Sequence, residues 1–323
     1  MRKIAVLTSG GDAPGMNAAI RAVVRAGIHQ GWQMWGVRNG FAGLMNGEFT
    51  SLDARSVGGI MQQGGTVLGT ARAPQFKTAE GRAEALQQLK DYSISALVVI
   101  GGNGSQTGAY ELSKMGFEVI GIASTIDNDL YGAEMSIGVD TALNVALDSV
   151  DKLKITASSH HRGFVVEVMG RDSGYLALMT AITSGAEAVL IPERETTPER
   201  VAMEIQVAYH AGKSHALIVV AEGATYDAQK LTEYFKAHDR LCNYELKTII
   251  LGHTQRGGSP GAFDRILASR SGAAAIELLK ANRHGILVGL QKGEIAATPL
   301  SEVVVNKKEL DPKLAMLAEV LIG

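Results

Sequence analysis

Short apolar runs of strand length recur along the chain, at 4–7, 34–37, 96–100, 119–122, 163–168, 188–191, 216–221, 248–251 and 286–290. Several are solid Val, Ile and Leu with no polar alternation, the pattern of strands covered on both faces. Helical spacing fills most of the gaps, for example over 80–89, 105–115, 141–157, 198–211 and 228–238. Pro198 follows Thr196-Thr197 and takes the favoured first helical position. Alternating strands and helices, with glycines where strands end, predict an α/β protein of the doubly wound kind with mainly parallel sheets. No Pro/Gly/Ser-rich spacer, low-complexity tract or fixed-period repeat divides the chain, so composition alone marks no domain boundary.

Composition narrows the function. The 323 residues suffice for two ordinary domains or one large α/β unit. There are 38 glycines, roughly 12% against a usual ~7%, in a chain that is 46% hydrophobic. That excess fits phosphate-facing turns better than disorder. A formal net charge of −2 speaks against a nucleic-acid partner or a polybasic membrane surface. The single cysteine, Cys242, excludes an intrachain disulfide and a cysteine zinc site. The start, Met1-Arg2-Lys3-Ile4, runs straight into a strand pattern, so no signal peptide is expected, and 176–191 is too short and polar to cross a bilayer. A soluble cytoplasmic protein is expected.

The chemistry lies in the turns. Thr8-Ser9-Gly10-Gly11-Asp12-Ala13-Pro14-Gly15-Met16-Asn17 follows an apolar run and opens onto helical spacing from Ala18. A glycine-rich turn between strand and helix presents backbone N–H groups at the positive helix end, which suits phosphate. Gly101-Gly102-Asn103-Gly104-Ser105 repeats that design, with Ser105 available as a helix cap. Neither a dinucleotide fingerprint nor a Walker A sequence is present. Thr125-Ile126-Asp127-Asn128-Asp129 sets two carboxylates beside a hydroxyl; in an extended loop both point the same way, as base-plus-metal phosphoryl transfer requires. Met169-Gly170-Arg171-Asp172, Glu222 and His253-Thr254-Gln255-Arg256-Gly257-Gly258 also follow apolar runs. Each alone is ordinary; the five polar clusters from 101–105 onward, at the same edge of a sheet, predict one shared site. His160-His161 is a poor metal pair, because adjacent side chains diverge.

These motifs, with Gly64-Gly65-Thr66 and Arg72, stand in an order that strongly resembles bacterial 6-phosphofructokinase from residue 3 to about residue 300. The resemblance implies transfer of the ATP γ-phosphate to the 1-hydroxyl of fructose 6-phosphate with Mg²⁺, yielding ADP. It makes Asp127 the general base, Thr125 a neighbour of the transferred group and Arg171 the stabiliser of developing charge. Gly11, Arg72, Gly102, Gly104, Ser105 and Gly108 match the ATP site and Asp129 the metal site, with Asn103 standing at the family position that belongs to both. The sugar phosphate would meet Met169, Gly170, Glu222, His253 and Arg256, with Arg162 and Lys247 supplied across a subunit interface of a homotetramer. Two interleaved lobes follow: 1–138 with 252–304 for ATP, and 139–251 with 305–323 for fructose 6-phosphate.

The chain also departs from the family pattern. Asn103 replaces an aspartate, Ala123-Ser124 replaces Pro-Gly, Lys247 replaces an arginine and Phe41 a tyrosine. Lysine keeps the charge but loses the planar fork. Of the effector site, Arg21, Arg25, Glu187, Lys213 and His215 match and Lys154 stands for an arginine, while Ala54, Gly58, Gly59 and Ala211 replace polar or charged positions. Two other readings are carried forward: a pyrophosphate-dependent enzyme, and a weakly active sugar-phosphate-binding paralogue. NAD and lipid kinases share a similar glycine loop but lack the 125–129 and 253–256 sets.

Overall fold

The computed structural model describes residues 1–238 and 241–322. Its strands, in chain order, are β1 (Lys3–Thr8), β2 (Gln33–Val37), β3 (Phe49–Leu52), β4 (Ala96–Gly101) and β5 (Glu118–Ala123). They continue with β6 (Arg162–Val168), β7 (Ala188–Leu190), β8 (Ala216–Ala221), β9 (Glu245–Ile250), β10 (Ile286–Gln291) and β11 (Glu294–Pro299). Two compact units emerge. One comprises Met1–Thr125, Asp129–Thr141 and Arg256–Lys308; the other Ile126–Asn128, Ala142–Gln255 and Glu309–Gly323. The long crossings at 141/142, 255/256 and 308/309 fall three, four and four residues after the lobe boundaries given above.

The first unit holds a seven-stranded sheet ordered β11-β10-β5-β4-β1-β2-β3. It is parallel from β10 to β2, and each edge strand pairs antiparallel. Register matters here: Thr8 pairs Ile100 and Gly101 pairs Ala123, so the segments leaving β1, β4 and β5 start side by side. Every residue of β4 is buried, as its unbroken apolar run demands. The second unit holds a parallel four-stranded sheet ordered β7-β8-β6-β9. There Val168 pairs Ala221 and Glu167 pairs Ile250, aligning the C-termini of β6, β8 and β9.

Two expectations change. The five polar clusters do not share one sheet edge: those after β4 and β5 belong to the seven-stranded sheet, and those after β6, β8 and β9 to the four-stranded one. Periodicity identifies strands but not which sheet each joins. Ser105 does not cap its helix either. Helix Asn103–Lys114 starts two residues earlier with Gly102 at the N-cap, leaving Ser105 buried inside it. Helix Pro198–His210 does start as read, with the Thr197 hydroxyl accepting from the Arg200 N–H. The helix placed at 141–157 spans Val139–His160, and His161 then turns into β6 at φ 51°. That separates the two histidines onto different local structures.

Candidate active site

In the first unit, three glycine turns and the polar ends of β1, β4 and β5 converge. The backbone N–H of Ser9 donates to the Ile100 carbonyl at 3.1 Å, and that of Ser124 to the Gly101 carbonyl at 3.2 Å. Thr8 Oγ1 lies 2.8 Å from Thr66 Oγ1, and Thr70 Oγ1 donates to the Gly10 carbonyl at 2.9 Å. Gly15, at φ 105°, is the N-cap of helix Met16–His29, and neither this helix nor Asn103–Lys114 has a side-chain cap. Two positive helix ends therefore face the strand C-termini, the arrangement that favours phosphate.

A Cβ placed on Gly102 would sit 3.1 Å from the Thr125 Cβ, so the third turn and the carboxylate loop are neighbours. Asn103 Nδ2 donates to the Asp129 carbonyl at 3.4 Å. The amide of Asn103 thus stands beside half-buried Asp129, and together they offer hard oxygens of the kind Mg²⁺ accepts. Asp127 and Thr125 are buried, and Asn128 between the acids takes φ 52°. Around Gly104 a side chain would meet open space. At Gly108 the corresponding space is filled by Phe41 and Phe76, which stack with centroids 4.1 Å apart. Arg72 is exposed. Arg256 does not extend away from the first turn: its Nη1 donates to the Asp12 carbonyl at 2.9 Å.

In the second unit the turn after β6 is shaped by Glu222. Its Oε1 accepts from the N–H groups of Gly170 at 3.3 Å and Arg171 at 2.7 Å. These hydrogen bonds hold Gly170 at φ 149° and Arg171 at φ 52°, a conformation a non-glycine residue seldom takes unaided. Met169 N–H donates to the buried Gln255 Oε1 at 2.8 Å. His253, in the same short helical turn as Gln255, is exposed. On adjacent strands Arg162 Nε and Lys247 Nζ both reach the Glu245 carboxylate, at 2.8 and 2.5 Å.

Of the effector set, four groups gather in the second unit. Lys213 Nζ is 3.0 Å from Glu187 Oε1, and Glu187 Oε2 accepts from the Leu217 N–H at 2.6 Å. Lys154 Nζ donates to the Ser184 carbonyl at 2.5 Å, and His215 Nδ1 is 2.9 Å from Ser158 Oγ. Burial holds the His215 imidazole below its ordinary pKa; Glu187 opposes that, and Lys154 and Lys213 add to it. Arg21 and Arg25 belong to the first unit.

Three supporting residues are not among the site residues expected from the sequence, although Gln255 lies inside the 253–258 motif. Gln106, fully buried, donates from Nε2 to the Gly101 carbonyl at 2.9 Å and the Ile122 carbonyl at 3.3 Å, tying the ends of β4 and β5 together. Its only signal is an amide on a helix face otherwise carrying Ala109 and Leu112. Gln255 fixes the turn after β6. Asp264, fully buried, accepts from Gly138 N–H and Thr141 N–H, both at 2.8 Å, and from Thr141 Oγ1 at 2.6 Å.

Similarity to known proteins identifies the family. The family profile described as Phosphofructokinase matches residues 3–279. ATP-dependent 6-phosphofructokinase of Listeria monocytogenes serotype 4b (strain CLIP80459) is 49% identical over 324 residues, covering 99% of each chain. The enzyme of that name from Thermotoga neapolitana is also 49% identical, over 99% of this chain and 100% of its own. Phosphofructokinase from Saccharomyces cerevisiae superposes with a TM-score of 0.86 at 38% identity; 94% of this chain covers 45% of that much longer one. A pyrophosphate-dependent phosphofructokinase from Nitrosospira multiformis has a TM-score of 0.88 over all of this chain and 92% of its own, but 17% identity, and so shares the fold alone. By profile, full-length identity and fold, the chain belongs to the phosphofructokinase family.

Proposed function

We infer that this chain is an ATP-dependent 6-phosphofructokinase, transferring the γ-phosphoryl of ATP to the 1-hydroxyl of fructose 6-phosphate. The observation that carries the reading is 49% identity over nearly the full length with enzymes of that name, joined to the neighbourhood of the Gly102 turn and Thr125 after β4 and β5. Phosphoryl transfer is chiefly positioning and charge stabilisation, and the residues fit those tasks. Asp127 takes the proton of the attacking hydroxyl. Arg171, set by Glu222, steadies the charge on the moving phosphoryl. The N–H groups of the turns around Gly11 and Gly102–105 bind nucleotide phosphates. Asp129 and the Asn103 amide would hold Mg²⁺, which would supply charge neutralisation for the phosphates. Arg162, Lys247, His253 and Arg256 bind the sugar phosphate, the first two across an interface in a homotetramer in the cytoplasm.

Open space at Gly104 supports ATP as donor over pyrophosphate, since nothing bulky intrudes where the nucleotide would lie. A steady-state assay with fructose 6-phosphate, Mg²⁺ and either ATP or pyrophosphate tests the reading. Turnover with ATP alone is expected. Turnover with pyrophosphate alone would overturn the donor assignment, and none with either would favour a binding paralogue.

A further inference from the structure

Gly11 is glycine for a reason that nucleotide binding does not supply. Its backbone does not lie in the left-handed region, unlike Gly10 next to it at φ 83°, so conformation does not require the missing side chain. Space does. A Cβ on Gly11 would lie 2.5 Å from Arg256 Nη1 and 2.8 Å from Cζ, closer than real Cβ contacts come, and 3.1 Å from Nη2, which is tight. The group rests on the bare backbone of the first turn, where Nη1 donates to the Asp12 carbonyl at 2.9 Å.

The base of the arginine is also fixed. A Cβ on Gly64 would lie 2.7 Å from the carbonyl oxygens of both Gly257 and Gly258, so those turns are in backbone contact. Ser259 Oγ donates to the Gln62 carbonyl at 2.8 Å, and Asn17 Nδ2 to the carbonyls of Gln63 and Gly64 at 3.1 and 3.3 Å. With both ends held, the remaining guanidinium donors form a preset fork, the geometry that binds phosphate bidentately.

We propose that Gly11 is a positioning residue for Arg256, so that the nucleotide turn also sets the affinity for fructose 6-phosphate. The proposal rests on the reading that Arg256 binds the 6-phosphate. Gly11→Ala forces the guanidinium off the Asp12 carbonyl. Because the displaced atoms are the far end of a flexible side chain, and alanine tolerates the Gly11 backbone, the fold survives. What is lost is the orientation of one or two charge-assisted hydrogen bonds to phosphate, a 10- to 100-fold effect.

The test is calorimetric titration of the full-length protein with fructose 6-phosphate in the absence of nucleotide, where a residue serving only ATP has no influence. Gly11→Ala and Arg256→Ala should each weaken binding about 10- to 100-fold. The double variant should be no weaker than Arg256→Ala. In an Arg256→Lys background, whose slimmer head clears the added methyl, Gly11→Ala should change little. Unchanged affinity in Gly11→Ala, or losses that multiply in the double variant, would overturn the proposal. If Arg256→Ala binds like the parent, the sugar-phosphate role of Arg256 fails first and the proposal with it. Melting curves of each variant, superimposable on the parent, separate these results from unfolding.

Discussion

Asp264 offers the sharpest test of how the first unit is held together. Its carboxylate is fully buried and accepts three hydrogen bonds at the start of helix Val139–His160, two from backbone and one from the Thr141 hydroxyl. Thr141 Oγ1 in turn accepts from the Gly261 N–H at 3.0 Å. Asp264→Ala leaves the N–H groups of Gly138 and Thr141 without an acceptor. At about 1–3 kcal/mol for each stranded buried donor, the loss is about 2–6 kcal/mol. With about 2–4 °C per kcal/mol for a unit of this size, melting should fall by roughly 5–20 °C. Asp264→Asn keeps one acceptor and should lose about half as much.

Acidity adds a second readout. Burial raises the Asp264 pKa, the hydrogen bonds from Thr141 and Gly138 pull it back, and the charge of Asp140 adds to the rise. A raised folded-state pKa means that this carboxyl's stabilising contribution is full below the unfolded value of 3.8 and is lost as pH climbs through the folded value. Scanning calorimetry of parent and Asp264→Asn should therefore show a gap in melting temperature that narrows from about pH 4 to neutrality. A gap that widens, or an Asp264→Ala protein melting within about 2 °C of the parent, would refute the reasoning.

Three further outcomes are expected. Asp127→Ser should lower kcat by roughly 10²-fold or more with nearly intact ATP affinity, because positioned base catalysis is worth about 10²–10⁴; unchanged kcat and KM would remove Asp127 from the mechanism. Asn103→Asp adds a charge beside Asp129 and should lower the Mg²⁺ concentration for half-maximal rate while raising kcat; reduced kcat with an unchanged Mg²⁺ response would mean that the amide itself is required. Lys308, whose Nζ donates to the Glu134 carbonyl at 2.7 Å, has its pKa lowered by burial from 10.5 to about 8 despite the opposing charges of Asp129 and Glu134. The unfolded chain therefore binds the extra proton, and stability rises with pH across that window. Denaturant titrations should show the parent gaining roughly 3 kcal/mol on Lys308→Met between pH 7.5 and 10.5, and a flat difference would refute it.

How much of this was legible in the sequence depended on how local each feature is. The unbroken run at 96–100 could be read as a strand covered on both faces because every residue carries the same message, and β4 is buried throughout. β3 and β11 are not readable from the pattern, because Phe49-Thr50-Ser51-Leu52 and the polar-flanked segment from Glu294 are half-exposed edge strands paired to one antiparallel neighbour. The turns around Gly11, Gly102 and Asp127 stood out because glycines and acids after strands are local signals. Asp264 carries no such signal, and Gln255 shares a motif that does not show its role: their partners lie up to 126 and 86 residues away in the chain. Ser105 offers a capping hydroxyl that the helix does not use, because Gly102 takes the N-cap and the helix starts two residues sooner than the pattern suggests.

The four-stranded parallel sheet has β9 at one edge and β7, only three residues long, at the other. An unpaired edge invites a strand from another chain to add itself, and during synthesis every newly made copy passes through a stage in which that invitation stands open. β9 meets it with charge: Glu245 and Lys247 are exposed on alternate positions, and Arg162 on β6 shares the same carboxylate. An incoming strand would have to strip water from all three. Arg162 and Lys247, read as sugar-phosphate ligands, thus join Glu245 in keeping that edge charged against a sibling chain. Replacing them with neutral side chains would show first in yield and solubility, before any rate was measured.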